Sequence, residues 1–190
     1  MDPDKLTLEE KTRLLGLARQ ALEAGVNGLP APGPDLQALG GHLAGPGASF
    51  VTLTIGGALR GCIGALEAYQ PLAADVCEHA VAAALEDPRF PPVQPGELPH
   101  INIEVSCITR PVPLEYNDPG QLLSRLRPHL DGVILREGFR QATFLPQVWE
   151  KLPDPSDFLD NLCYKMGTDP QLWRRKRLEV LVYQVEEFHE

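Results

Sequence analysis

The chain has 190 residues, 43% hydrophobic and 23% charged, a length and composition that predict one compact globular domain with a filled core. Acidic residues outnumber basic ones by 26 to 17, and the formal net charge of −9 argues against nucleic-acid binding, because an acidic surface repels phosphates. No apolar run is long enough to span a membrane, and the polar residues 1–5 do not resemble an export signal, so we expect a cytoplasmic protein.

The first predicted element is a helix that begins after Thr7. Glu10 stands three residues after this threonine, the spacing of a capping box, and apolar residues recur at helical intervals until Gly25. Residues 28–47 contain many glycines and prolines without periodicity. They predict a long loop, either ordered or flexible.

A β-hairpin is predicted next. Residues 49–55 have the β-branched content of a strand, Gly56-Gly57 favours a two-residue turn, and residues 58–64 form the returning strand. A two-residue turn would place Val51 opposite Cys62 and Leu53 opposite Arg60. Arg60 and Cys62, two positions apart, would then project to the same side of the sheet.

The rest of the chain alternates helices and strands without a regular βαβ order. This pattern predicts an α+β fold with a mainly antiparallel sheet flanked by helices. The predicted elements are a helix over 71–86 stopped by prolines, a strand over 101–107, a helix from Asp118-Pro119, a hairpin of 133–135 with 140–145, a helix from Asp154-Pro155 to Gly167, a short helix from Asp169-Pro170 that ends in the basic run 174–177, and a strand over 178–185.

The hairpin has the residue types of a chemical site. A guanidinium near the Cys62 thiol would favour the reactive thiolate, and Gly61 and Gly64 would let a ligand or another backbone approach closely. The alternative is structural: Cys62 is a small core residue, and Arg60 binds a carboxylate near the sheet edge.

A second cluster follows the 71–86 helix. The prolines around Asp87 and Arg89 would hold both side chains rigidly toward a substrate, or the segment is only a helix stop with a local ion pair. Asn102 and Glu104 share the polar side of the next strand, where they line the same cleft or are simply solvated.

We predict no metal site and no cofactor. The four cysteines are far apart, and the five histidines show no metal-binding spacing. His79 or His100 would serve as a base for Cys62 only if the fold brought it there. The sequence also lacks the motifs of hydrolases, nucleotide triphosphatases and dinucleotide-binding proteins.

Several ordered motifs resemble those of the AMMECR domain family. The similarity extends from about residue 10 to residue 188. It rests on Phe50-Val51-Thr52-Leu53, Leu59-Arg60-Gly61-Cys62-Ile63-Gly64, Asp87-Pro88-Arg89-Phe90-Pro91, Ile103-Glu104-Val105-Ser106, Asp131-Gly132-Val133-Ile134-Leu135 and residues 142–149.

The resemblance implies a single domain over residues 1–190 with two unequal lobes and a cleft between them, the smaller lobe at about 116–168. It also implies two partners, a Memo-type protein that resembles extradiol dioxygenases and a radical SAM protein. Carried over residue by residue, the implied site contains Arg60, Gly61, Cys62, Gly64, Asp87 and Arg89.

The sequence is compatible with two functions, one enzymatic and one not, and does not decide between them. In the first, a small molecule binds beside Cys62, which acts as a nucleophile; Arg60 or Arg89 holds an anionic group, Asp87 orients or exchanges a proton, and Gly61, Gly64 and Glu104 contact the substrate. In the second, the hairpin docks the Memo-like or radical SAM partner without catalysis. A nucleic-acid regulatory role fits the acidic charge poorly.

Overall fold

The structure is a computed structural model that describes residues 5–30 and 33–190. Residues 1–4, used above to argue against an export signal, and residues 31–32 of the predicted loop lie outside this range. The chain forms two compact units. Unit 1 contains the described residues up to Thr109 together with Glu186–Glu190, and unit 2 is Arg110–Val185, which extends beyond residues 116–168 at both ends.

Unit 1 is an antiparallel sheet with helices against one face. Its elements are α1 (Leu8–Val26), α2 (Leu36–Leu39), α3 (Gly41–Ala44), β1 (Pro46–Ile55), β2 (Ala58–Gly64), β3 (Gln70–Pro71), α4 (Leu72–Leu85), a 3₁₀ helix (Pro95–His100), β4 (Ile101–Ile108) and the last strand of the chain, β9 (Val185–His189). Its sheet has the strand order β2-β1-β4-β9, with β3 paired to the start of β1.

The long helices of unit 1 begin as predicted. The Thr7 side chain accepts a hydrogen bond from the Glu10 backbone, and the Glu10 side chain closes the capping box. Small and apolar residues of α4 pack with those of α1, β1 and β4 into one core, in which Leu53 and Ile103 are fully buried. No helix in the described ranges is both long and apolar enough to cross a membrane.

The predicted loop over residues 28–47 contains ordered structure in its described part. Asp35 accepts hydrogen bonds from the backbone of Gln37 and Ala38, both at 3.1 Å, and so caps the single turn of α2. A second turn, α3, follows at once, and β1 begins at Pro46, three residues before the predicted strand. Such short helices leave no periodicity in the sequence, because α2 has no buried residue and α3 has only Leu43.

Unit 2 has its own four-stranded antiparallel sheet and its own core. The elements are β5 (Val112–Pro113), α5 (Pro119–Arg125), β6 (Gly132–Glu137), β7 (Arg140–Phe144), a 3₁₀ helix (Pro146–Glu150), α6 (Pro155–Lys165), α7 (Leu172–Arg175) and β8 (Glu179–Tyr183), and the strand order is β5-β8-β6-β7. In the core, Trp149 stacks on Phe158 with ring centroids 3.7 Å apart, and its indole N–H donates to the Asp131 carbonyl at 2.7 Å.

The predicted strand over 178–185 is β8, and a further strand that was not predicted, β9, begins at its last residue. β8 pairs with β5 and β6 in unit 2, whereas β9 extends the sheet of unit 1 beside β4. β9 follows Gln184 and was missed because residues 185–189 contain two glutamates and a histidine and lack the β-forming content of β8.

The basic run 174–177 lies at the end of α7 and just beyond it. The helix begins at Leu172 rather than after Asp169-Pro170, because Asp169 instead forms a turn by accepting from the Gln171 backbone at 2.8 Å. Each cation of the run has an acidic neighbour, so the run is locally neutralised: Arg174 with Asp160, Arg175 with Asp169, Lys176 with Glu137 and Arg177 with Glu115.

The hairpin and α4 are in close contact at Gly61. A Cβ atom at this position would lie 2.0 Å from the carbonyl oxygen of Ala83 in the last turn of α4. This distance is far shorter than any normal contact, and the obstructing atom belongs to a helix backbone that cannot move aside. The missing side chain of Gly61 therefore sets how closely α4 packs on the sheet.

Replacing Gly61 by alanine should destabilise the protein by at least about 2 kcal/mol, because the new methyl group would force β2 and α4 apart. The free energy of unfolding in urea measures the loss. Gly96→Ala is the matched control: a Cβ at Gly96 meets no atom within 4 Å, so its effect should stay within about 0.5 kcal/mol. Equal effects of the two substitutions would contradict this account of the packing.

Candidate functional site

The β1–β2 hairpin has the predicted turn but not the predicted register. Gly56-Gly57 forms the two-residue turn with positive φ angles of 58° and 81°. A β-bulge then leaves Arg60 as an extra residue on β2, and beyond it Cys62 pairs with Thr52. Two predicted pairs are wrong for this reason: Val51 with Cys62, and Leu53 with Arg60.

The shifted register places three polar side chains in one row across the sheet. Thr52 on β1 pairs with Cys62 on one side and with Glu104 on the other. Directly opposite residues of neighbouring strands project to the same face. The next row, which contains Leu53 and Ile103, faces the buried core under α4, so the Glu104–Thr52–Cys62 row lies on the opposite face of the sheet.

Cys62 is partly exposed, and a neighbour in this row binds its thiol. The Thr52 hydroxyl donates a hydrogen bond to Cys62 Sγ at 3.4 Å. A hydroxyl donor stabilises a sulfur atom most when the sulfur carries negative charge. Thr52 was missed in the sequence analysis, because the simple two-residue-turn register assigns Val51 to this position.

Arg60 does not accompany the thiol as we expected. Its Nε and Nη2 atoms donate to the two carboxylate oxygens of Glu97 at 2.7 and 3.1 Å, and Nη1 donates to the Pro91 carbonyl at 2.9 Å. The Glu97 hydrogen bonds raise the pKa of Arg60 and lower that of Glu97. The contact corresponds to the structural alternative, in which Arg60 binds a carboxylate near the sheet edge, and only the three-dimensional fold identifies Glu97 as its partner.

Asp87 lies at the centre of the site. Its side chain is only 2% exposed, and its Oδ2 atom accepts from the backbone N–H of Cys62 at 2.8 Å. Both carboxylate oxygens also bind the guanidinium of Arg89, Oδ1 to Nε at 2.9 Å and Oδ2 to Nη2 at 2.7 Å. These hydrogen bonds, with that from Arg89 the strongest, hold the pKa of Asp87 far below its usual range. Asp87 is therefore ionised near neutral pH, and its contacts suit it to positioning Cys62 and Arg89.

Arg89 completes a closed ring of hydrogen bonds around Cys62. Its Nη2 atom donates to the Cys62 carbonyl at 3.1 Å while it also binds Asp87. The pKa of Arg89 is raised, chiefly by Asp87 and in smaller part by the nearby Cys62 side chain. The cation beside the thiol is thus Arg89, which lies 27 residues away in the sequence.

This ring provides hydrogen-bond partners for backbone groups at the open edge of the sheet. β2 is an edge strand, so alternate N–H and C=O groups point away from β1 and need partners. At Cys62 the carboxylate of Asp87 replaces a neighbouring strand's acceptor, and the guanidinium of Arg89 replaces its donor. The two side chains fix the main chain that presents the thiol.

The glycines of the hairpin contact protein atoms closely. Gly61 packs against the Ala83 carbonyl, and a Cβ at Gly64 would lie 2.4 Å from the Phe50 ring and from the Ser49 carbonyl. Both positions allow close approach of other parts of this chain, which is one of the two uses that their sequence predicted.

The other candidate groups lie apart from this row. His79 is buried on α4, where its Nδ1 atom is 3.1 Å from the Asp75 carboxylate, and His100 is exposed at the end of a 3₁₀ helix. In the part of the chain that the structure describes, neither imidazole is hydrogen-bonded to Cys62. No three His, Cys, Asp or Glu side chains of residues 5–30 and 33–190 converge in a way that could hold a metal ion.

The three remaining thiols differ from Cys62 in their surroundings. All of them are buried. Burial raises the pKa of Cys77 to about 11 and that of Cys107 to about 12, and it also raises the pKa of Cys163. These thiols stay protonated and inert near neutral pH.

Comparison with known proteins identifies the family. The AMMECR1 family profile matches residues 15–188, nearly the whole chain. The chain belongs to the AMMECR1 family. A relative from Methanothermobacter thermautotrophicus is 39% identical over 97% of this chain and 96% of its own length, and one from Methanopyrus kandleri is 38% identical over 98% and 91%.

A solved structure has the same fold. The crystal structure of the uncharacterized protein PH0010 from Pyrococcus horikoshii superimposes with a TM-score of 0.73 and 32% sequence identity, covering 94% of this chain and 90% of that one. The hydrogen-bond ring of Asp87 and Arg89 joins two of the six motif segments on which the AMMECR resemblance rests, residues 59–64 and 87–91.

Replacing Asp87 by asparagine should reduce the stability of this AMMECR1 protein in a pH-dependent way. The folded-state pKa of Asp87 is depressed, so its contribution is complete above the unfolded-state pKa of about 4 and is lost as the pH falls through the folded-state value. The difference in unfolding free energy between the native protein and Asp87→Asn should therefore be largest near neutral pH and shrink steadily below about pH 4.

Urea unfolding at a series of pH values measures this difference. Asp118→Asn is the matched control, because asparagine also caps a helix and should preserve the start of α5. A constant difference between the native protein and Asp87→Asn from neutral to acidic pH would contradict the role of the carboxylate charge.

Proposed function

We propose that this AMMECR1 protein binds a small electrophilic molecule beside Cys62 and that Cys62 attacks it as a thiolate nucleophile. The supporting observation is the contrast between Cys62, a partly exposed residue whose thiol accepts a hydrogen bond from Thr52 and whose carbonyl binds Arg89, and three buried cysteines. In the addition step the Cys62 sulfur forms a bond to the electrophilic carbon of a carbonyl group. The π electrons of the carbon–oxygen double bond move to the oxygen, and the proton that the thiol loses passes to water.

The charged residues divide into positioning and contacting roles. Asp87 and Arg60 are positioning residues, because their polar groups are engaged by the protein: Asp87 holds the Cys62 backbone, and Arg60 ties the bulge to Glu97. Such fixed supports keep a reacting atom in place during the reaction. Gly61 and Gly64 act through the close packing that they allow.

Glu104 is suited to contact the substrate rather than the sulfur. It lies in the same row as Cys62 but two strands away, a separation of about 10 Å. Its carboxylate is partly buried and has no hydrogen-bond partner among the described residues. A molecule that covers Thr52 would reach both Cys62 and Glu104, and the carboxylate would accept a hydrogen bond or a proton from it.

Iodoacetamide labelling tests the nucleophile. At pH 7, Cys62 should react about tenfold faster than N-acetylcysteine, and Cys77, Cys107 and Cys163 should react far more slowly because they are buried. Mass spectrometry of the peptides after timed labelling gives the four rates, and labelling of the unfolded chain, where all thiols should react alike, is the control. A Cys62 rate equal to or below that of N-acetylcysteine would contradict catalysis.

A second proposal concerns the partners. We propose that the protein associates with the Memo-like and radical SAM proteins that the family resemblance implies. Leu59 favours the hairpin as the docking surface, because this apolar side chain is 43% exposed and its pairing with Thr54 places it on the same face as Cys62. In this function Cys62 is not a nucleophile.

Capture of the purified Memo-like and radical SAM proteins of the same organism distinguishes the two functions. If the hairpin docks a partner, Leu59→Glu should weaken capture by about tenfold, because it buries a charge in an apolar contact, while Cys62→Ser should leave capture unchanged. Leu29→Glu, at an apolar residue that is 63% exposed outside the hairpin, is the matched control. Unchanged capture by Leu59→Glu would remove the support for docking through this face.

A further inference from the structure

We infer that the site beside Cys62 selects small organic acids, with the free edge of the Arg89 guanidinium as the carboxylate-binding group. This inference rests on the proposed thiol function and adds to it the substrate class. It requires a cation that lies near the thiol, has unused hydrogen-bond donors and is accessible.

Arg60 does not meet these conditions. All three of its nitrogen atoms donate to Glu97 or to Pro91, and its side chain is only 14% exposed. Its charge is balanced by Glu97 at a distance of 2.7 Å. An anionic ligand would gain little by approaching such a saturated guanidinium.

Arg89 meets all three conditions: it lies near the thiol, has unused hydrogen-bond donors and is accessible. Its Nε and Nη2 atoms are used by Asp87 and by the Cys62 carbonyl, but Nη1 has no oxygen or nitrogen acceptor among residues 5–30 and 33–190. The side chain is 54% exposed. Because two of its nitrogens are fixed, the two N–H groups of Nη1 are held in one orientation, and little side-chain entropy is lost when they bind an anion.

The unequal burial of Asp87 and Arg89 determines which charge the pair exposes to solvent. The pair is neutral as a whole, but the carboxylate side chain is 2% exposed and the guanidinium side chain is 54% exposed. The negative end therefore lies inside the protein and the positive end faces the solvent. A local positive site of this kind stands out on a chain with a net charge of −9, which otherwise repels anions.

Arg89 is positioned to hold the carboxylate of a bound acid close to the Cys62 sulfur. Arg89 donates to the carbonyl of Cys62 and interacts with its side chain. A carboxylate on Nη1 would place the neighbouring carbon atoms of the same molecule near Sγ. The class that fits is a small acid whose electrophilic carbon lies within a few bonds of its carboxylate.

Two alkylating probes of nearly equal size but different charge test this inference. Iodoacetate carries a carboxylate where iodoacetamide carries a neutral amide. With either probe the Cys62 sulfur forms a bond to the CH₂ carbon, the carbon–iodine bond breaks, iodide leaves and the thiol proton goes to the buffer. The ratio of the iodoacetate rate to the iodoacetamide rate at Cys62 reports selection of the acid.

In the native protein this ratio should exceed that of the unfolded chain. Arg89→Gln should lower it about threefold to tenfold, and Arg89→Lys should give an intermediate value, since lysine keeps the charge but loses the planar fork. Arg13→Gln, which removes one positive charge from an exposed residue of α1, should leave the ratio unchanged. Added salt should lower the native ratio without affecting the iodoacetamide rate, a measurement that requires no variant.

The outcomes separate the two proposals. Fast labelling of Cys62 by both probes, with a ratio that neither Arg89→Gln nor salt changes, would overturn the selection of acids and leave the thiol function standing. Slow labelling by both probes would overturn the thiol function and this inference with it. A ratio that falls equally in Arg89→Gln and Arg13→Gln would show a general charge effect and overturn the role of Arg89.

Discussion

The site depends on one buried carboxylate that binds the backbone of an edge strand. Asp87 accepts the N–H of Cys62 and holds Arg89, which in turn donates to the carbonyl of the same residue. An isolated charge in this position would be very unfavourable, and four donated hydrogen bonds, two of them from a guanidinium edge, compensate for its burial. The arrangement connects the end of α4 to the hairpin, so the position of the thiol depends on how the helix ends.

The same geometry links packing to chemistry. Gly61 lets the last turn of α4 approach the hairpin, and Asp87, two residues beyond the end of that helix, then reaches the next residue of β2. A larger residue at position 61 would move the carboxylate away from Cys62. Segments 60–62 and 87–89 thus form one hydrogen-bonded structural unit, whether the thiol reacts or the hairpin has another function.

Most of the fold of each unit follows from local sequence signals. The capping box at Thr7, the proline stop after α4 and the caps at Asp118 and Asp154 fix helix boundaries that a single sequence displays. The bulge at Arg60 was not predictable, because a glycine after an arginine in a strand is compatible with regular pairing as well. Its consequence was large, since one extra residue exchanges Val51 for Thr52 as the neighbour of the thiol.

The components of the site were predictable, but their partners were not. Cys62, Asp87 and Arg89 were identified from residue type and from the family resemblance, whereas the partners Thr52 and Glu97 depend on register and on tertiary approach. The sequence placed Arg60 beside the thiol, whereas in the structure Arg60 binds Glu97 and Arg89 binds the Cys62 carbonyl. Arg60 is close to Cys62 in sequence, and Arg89 is close to it in space.

The division of the final residues between two sheets has a consequence for synthesis on the ribosome. Unit 2 is continuous in sequence, but unit 1 receives its edge strand β9 only after the ribosome has made all of unit 2. Until then β4 has no neighbour on one side, and its open edge can pair with another nascent chain. The order of translation therefore leaves the sheet that presents the thiol incomplete for longer than the sheet of the intervening unit.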